Sequence, residues 1–144
     1  MVISTGMPMA VACVEGNGGL QGTVKFYPIP GGSLVMAEVV GLPKNETGFY
    51  GFHIHEGTAC GGPGFARTGS HLNPHSVPHP GHIGDLPPLM SDNGKAFLAV
   101  KTCRFTPCDI IGRTVVIHSG ADDFHSQPGG NAGEKIACGI VRRL

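Results

Sequence analysis

Gly51-Phe-His-Ile-His-Glu56 sits in a run, Phe49 to His55, that reads as a β-strand. Side chains alternate between the two faces of a strand, so residues two apart leave the same face, and His53 and His55 are aimed together. The stretch that follows, His71-Leu-Asn-Pro-His-Ser-Val-Pro-His79-Pro-Gly-His82-Ile-Gly-Asp85, adds further imidazoles and a carboxylate at short spacings. Pro74, Pro78 and Pro80 remove backbone donors and fix φ, so this stretch is expected to be a loop without a regular ladder or helix, and one that something must order. Three imidazoles and a carboxylate suit tetrahedral zinc, while additional imidazoles in a protein-imposed geometry suit copper.

Outward from this centre the chain alternates like a β protein. Ala10 to Glu15 and Gly22 to Pro28 read as a hairpin around Gly16-Asn-Gly-Gly19, with Val24 and Phe26 on one face and Thr23, Lys25 and Tyr27 on the other. Ser33 to Val40 is a third strand, closed by Gly41-Leu-Pro43. Asp92-Asn-Gly94 marks a turn into Lys95 to Lys101, where Ala96, Leu98 and Val100 share a face. Thr102 to Gly112 reads as a connection, Arg113 to His118 as a strand, Ser119 to Gly133 as a second long loop, and Lys135 to Val141 as the last strand. About eight short strands without helical periodicity imply a sandwich or barrel. Long structureless loops inside such a domain are usually functional, and this chain has two.

Composition narrows the function classes. The chain has 144 residues and zero formal net charge, with eight histidines counted neutral. That length is expected to form one domain, residues 1–144. No block of like charge suggests a nucleic-acid face, and no apolar run is long enough to span a membrane. Gly and Pro are abundant, but 40% hydrophobic content in alternating runs argues for a loop-rich all-β domain rather than disorder. The N-terminus, Met-Val-Ile-Ser-Thr-Gly-Met-Pro-Met, lacks the basic and apolar regions of a secretory signal, so the expected location is cytoplasmic unless a signal was removed earlier. Asn45-Glu46-Thr47 matches a glycosylation acceptor and is set aside for want of that signal.

Six ordered blocks carry a resemblance: Gly51-Phe-His-Ile-His-Glu56, Gly69-Ser-His-Leu-Asn-Pro74, His82-Ile-Gly-Asp85, Ile111-Gly-Arg-Thr-Val-Val-Ile-His118, Ala121-Asp-Asp123, and Gly130-Asn-Ala-Gly133 followed by Ala137-Cys-Gly139. From about Cys13 to Val141 the chain resembles the copper/zinc superoxide dismutase family. The resemblance implies an eight-stranded Greek-key β-barrel or sandwich of immunoglobulin-like architecture, with two long loops over one end. It implies His53, His55, His71 and His118 as copper ligands, and His71, His79, His82 and Asp85 as zinc ligands. His71 then bridges both metals and takes part in catalysis, and Asp122 joins the far nitrogens of His53 and His79. The activity implied is conversion of superoxide anion to oxygen and hydrogen peroxide by copper redox cycling. A non-catalytic metal store or chaperone on the same fold is the alternative. The resemblance leaves room for a homodimer.

It also implies a Cys60–Cys138 disulfide closing about 78 residues. Cys103 and Cys108, flanking Pro107, either bridge locally or stay reduced, the bridge being the favoured expectation, and Cys13 is expected to be a buried free thiol. One departure concerns the family's arginine at the mouth of the copper channel, where this chain has Lys135. Lysine keeps the charge and loses the planar fork. His75 and His125 have no role in the family and read as loop residues.

Overall fold

The computed structural model describes residues 6–144. Residues 1–5, part of the stretch read for a signal, lie outside the described residues. The first hairpin follows the alternation. β1 (Ala10–Gly16) buries Ala10, Ala12 and Val14 and pairs antiparallel with β2 (Gln21–Ile29), whose Phe26 and Val24 stand opposite Ala10 and Ala12. β2 continues past Pro28 because β1 pairs no further than Phe26, so that edge needs no donor from the proline. β3 (Gly32–Val40) pairs along all of β2, and β7 (Ala96–Thr102) pairs with β3.

The expected strand from Phe49 to His55 is broken in two. β4 (Phe49–Tyr50) pairs with β6 (Leu89–Met90), whereas β5 (Phe52–His55) pairs with β8 (Thr114–His118). Gly51 lies between them, donating to Gly120 O and accepting from His118 N–H. A Cβ there would stand 2.7 Å from Ala132 Cβ, so the close approach of the second loop requires glycine. β8 pairs with β9 (Lys135–Ile140), β9 with β1, and the short β10 (Arg142–Arg143) also with β1.

The result is one antiparallel curled sheet in the order β5-β8-β9-β1-β2-β3-β7, with β10 beside β1. The inner faces bury Val14, Val24, Phe26, Val35, Phe52, Ile54, Val115 and Ile117 in a continuous apolar core. The curled sheet, a half-barrel, agrees with the all-β sandwich or barrel expected from the strands and with the barrel that the resemblance implies. Phe105 packs edge-to-face on Phe26 with ring centroids 6.2 Å apart. Its carbonyl accepts from the buried Ser33 hydroxyl, which anchors the connection after β7.

The long loop after β5 is more regular than its prolines suggested. Residues 63–68 form a 3-10 turn, and isolated bridges pair His55 with His71 and His53 with Asp85. Ile54 N–H donates to Gly84 O, and Leu72 N–H donates to Ile54 O. The loop therefore doubles back along the free edge of β5 and satisfies donors that a bare edge would expose.

Cys60 and Cys138 form a disulfide linking this loop to β9. The other cysteine expectations need correction. Cys103 and Cys108 are both free and exposed. The Thr106–Asp109 capping box sets a 3-10 turn that directs the Cys108 sulfur toward Met9 and Arg143. Cys13 is free but exposed rather than buried, because strand alternation places Ala12 and Val14 inward and Cys13 outward. Replacing Cys60 by Ser should remove roughly 4 kcal/mol of loop-closure stabilisation and lower the melting temperature by about 10 °C. An unchanged calorimetric melt against the oxidised wild type would show that the bridge adds nothing.

Candidate metal centre

Backbone pairing brings the histidines together. His53 and His55 leave the same face of β5 and are buried. The bridges along the β5 edge set His71 beside His55 and Asp85 beside His53. A register shift between Ile117 and His118 at the end of β8 turns the His118 ring toward His55, with their Nε2 atoms 3.3 Å apart. Two groups of four result, His53, His55, His71 and His118 in one and His71, His79, His82 and Asp85 in the other. Within each group the donor atoms lie within 4.8 Å of one another. His71 belongs to both.

The second nitrogen of each ring decides what these groups can hold. His55 Nδ1 lies 2.9 Å from Gly69 O and His118 Nδ1 lies 3.2 Å from Gly133 O. A carbonyl only accepts, so both Nδ1 atoms carry the proton, and the facing Nε2 atoms are two lone pairs with no hydrogen between them. His53 Nε2 and His79 Nε2 each lie 2.8 Å from Asp122 and donate to its carboxylate. That leaves His53 Nδ1 and His79 Nδ1 as buried lone pairs without a hydrogen-bond partner. His79 Nδ1 is 3.1 Å from Asp85 Oδ2 but not aligned as a hydrogen bond. Buried lone pairs without protons are costly unless a cation accepts them, so the first group fits a metal ion, and the His79 lone pair beside the Asp85 carboxylate fits a second.

Electrostatics point the same way. Burial pushes His55 down to about 2 and His118 down to about 3, and the ammonium of Lys135 lowers both further. His53 is lowered mainly by burial, against the opposing bond from Asp122. His82 is also lowered mainly by burial, against the attraction of Asp85. Burial acts to raise Asp122, yet the bonds from His53 and His79 hold it below the usual carboxylate range. Asp85 behaves alike, with burial overridden by its bond from His71. Neutral imidazoles and ionised carboxylates are the forms that ligate metal.

Asp122 comes from the second long loop, which crosses it at Gly130. There φ is +77°, and a Cβ would meet Asp122 Oδ1 at 2.0 Å, so only glycine fits. A cavity of about 1000 Å³ opens over the groups, and its wall includes His55, His71, His82, His118, Glu56 and Arg113. Lys135 is set back from this wall. Its ammonium donates to Thr68 Oγ1 (2.7 Å) and to Gly69 O (2.8 Å), the carbonyl that also receives His55 Nδ1–H. His75 and His125 are exposed and outside both groups. Arg113, in sequence the first residue of an expected strand, contributes a cation to the cavity wall and donates to Glu56 O at 2.6 Å. The ordered block Ile111-Gly-Arg-Thr-Val-Val-Ile-His118 contained it, and only the loop's return along β5 puts it at the cavity.

A family model described as copper/zinc superoxide dismutase matches residues 20–141. A superoxide dismutase (Cu-Zn) of Deinococcus radiodurans is 36% identical over 152 residues, covering 91% of this chain and 82% of the relative. One from Legionella pneumophila is 34% identical over 128 residues, covering 84% and 77%. The human copper chaperone for superoxide dismutase is 34% identical over 93% of this chain, which spans only 53% of that protein. A solved structure titled as a crystal structure analysis of the clock protein EA4 superposes with TM-score 0.81 and 32% identity over 100% of both chains.

Asp122→Ala should free both Nε2 protons and weaken metal affinity about 10- to 100-fold, measurable by chelator competition. Affinity within twofold of wild type would contradict the role given to this carboxylate. A pH effect follows as well. His55 and His118 refuse protons in the folded state that the unfolded chain takes up below its ordinary value of 6.5. Stability of the metal-free protein is therefore full above about pH 6.5 and falls as pH drops toward 3, by more than about 5 °C in melting temperature at pH 4. A flat profile between pH 7 and 4 would contradict the burial of neutral imidazoles.

Proposed function

The chain belongs to the copper/zinc superoxide dismutase family, and from that membership we propose that it converts superoxide to oxygen and hydrogen peroxide. In this reading His53, His55, His71 and His118 hold copper, and His71, His79, His82 and Asp85 hold zinc. Bound copper supplies a one-electron redox couple and bound zinc a fixed positive charge. The supporting observation is the sharing of His71 between two groups in which His53, His55, His79 and His118 keep unprotonated nitrogens turned inward.

The chain's own residues have distinct tasks. Gly69 O and Gly133 O fix the rings of His55 and His118, and Asp122 fixes those of His53 and His79. His71 has its Nδ1 2.8 Å from Asp85 and its ring on the cavity wall, so in this reading its other nitrogen would serve the copper group. Arg113 on the wall and Lys135 behind Gly69 add positive potential that draws a small anion inward.

A store or chaperone is the second reading, favoured by the likeness to human and rat copper chaperones over 93% of the chain. Both readings need the ligands, and only the enzyme needs cations along an open approach. The deciding test is superoxide turnover after loading copper and zinc, with the metal content measured. Turnover with about one of each metal per chain is expected; full metal content with no turnover favours the store. On the enzyme reading, Arg113→Met and Lys135→Met should each lower kcat/KM about three- to tenfold at low ionic strength and flatten its salt dependence, at unchanged metal content. Lys135→Arg should keep activity. Full and equally salt-sensitive turnover in both Met variants would mean that other charges guide the substrate.

A further inference from the structure

The turn His79-Pro80-Gly81-His82 presents two of the zinc group's imidazoles and has little backbone of its own to hold it. Pro78 and Pro80 donate nothing, and its local bonds are Gly81 N–H to Pro78 O, Asp85 N–H to His82 O and His82 N–H to Asp85 Oδ2. Two distant side chains hold the rest. Gln127 accepts His79 N–H at Oε1 (2.8 Å) and donates from Nε2 to His79 O (2.8 Å), pairing with both backbone groups of one residue as a neighbouring strand would. Arg104 Nη1 donates to Pro80 O (2.8 Å) and His82 O (2.9 Å). Three of the turn's carbonyls, those of His79, Pro80 and His82, are thus taken by side chains from two other loops.

Both clamping residues stand on anchored backbone. Gln127 follows a turn in which Asp123 accepts from His125 N–H, Ser126 N–H and the Ser126 hydroxyl, and its Nε2 also donates to His125 O. Arg104 donates its own N–H to Thr102 Oγ1 and precedes the buried Phe105. The other metal group has no such need, because His53 and His55 stand on the β5–β8 ladder and His118 N–H donates to Gly51 O.

We propose that Arg104 and Gln127 are positioning residues for the zinc group. They fix the backbone of residues 79–82 so that the His79 lone pair and the His82 ring face Asp85 and His71 before the ion arrives. They touch no ligand atom and act only through the backbone of the turn. The inference rests on the zinc assignment made above and adds two residues to it. Each lost clamp makes the turn's ordering part of the cost of binding, so zinc should suffer and copper should not.

The experiment measures zinc and copper affinity separately by chelator competition in Gln127→Leu, Arg104→Met, the double variant and Arg104→Lys, and records the d–d spectrum of cobalt(II) in the zinc group. The expected result is zinc binding weakened about tenfold in each single variant and about a hundredfold in the double, with a weaker or shifted cobalt band. Arg104→Lys, keeping one donor, should fall between wild type and Arg104→Met, and copper affinity should stay within about twofold of wild type throughout. Zinc affinity and cobalt spectra unchanged in the double variant overturn the proposal. Equal loss of copper and zinc overturns it too, since that is general destabilisation. A wild type that binds copper but no zinc overturns the zinc assignment, and the clamp with it, whereas wild-type zinc binding indifferent to the variants overturns the clamp alone.

Discussion

One buried carboxylate receives two imidazole protons, and the arrangement of the site depends on where those protons go. Asp122 takes Nε2–H from His53 on the sheet and from His79 on the long loop, each at 2.8 Å. A charge-assisted bond of this kind is stronger than a neutral one, and it leaves no freedom in the tautomer of either ring. Both Nδ1 atoms are then committed as acceptors in a space with nothing to donate. Gly69 O and Gly133 O impose the opposite tautomer on His55 and His118, and the lone pairs again turn inward. The site is held by protons directed outward.

The fold divides this work between a part held by strand pairing and a loop held mainly by side chains from elsewhere. The β5–β8 ladder fixes His53 and His55, and the bond from His118 N–H to Gly51 O fixes the third imidazole, with backbone bonds that owe nothing to any ion. The loop that carries His79, His82 and Asp85 has few bonds of its own, and it is restrained from outside by the β5 edge, the Cys60–Cys138 bridge, Asp122, Gln127 and Arg104. Only His71 takes part in both groups, so ordering of the loop and geometry of the ladder meet at one ring. Above it the cavity exposes His71 and His82 to small solutes while leaving His53 sealed.

Much of this was legible in the sequence where the signal was local. The period-two alternation gave the strands and the shared face of His53 and His55, and the family resemblance carried by six ordered blocks implied the two ligand sets. What escaped required long-range contact. The break at Gly51 exists because the second loop packs against that residue, which no window around Phe49 to His55 contains. The prolines suggested a loop without pairing, yet its residues 70–72 and 84–85 complete the edge of β5. Arg104 and Gln127 act on residues 22 to 48 positions away and look locally like ordinary surface side chains. Cys13 is a different case, because the same alternation that buries Ala12 and Val14 assigns it outward, and the usual preference of cysteine for the interior was the wrong guide.

The central claim is that His71 is one ring held in common by two metal groups. Electron paramagnetic resonance after filling both groups with copper(II) tests it directly, because two such ions on one imidazolate couple their spins, whereas ions on separate ligands do not. The account predicts a signal far below that expected from the measured copper content, restored when zinc replaces copper in the His79, His82 and Asp85 group. A signal matching the full copper content, with two independent spectra, would contradict it.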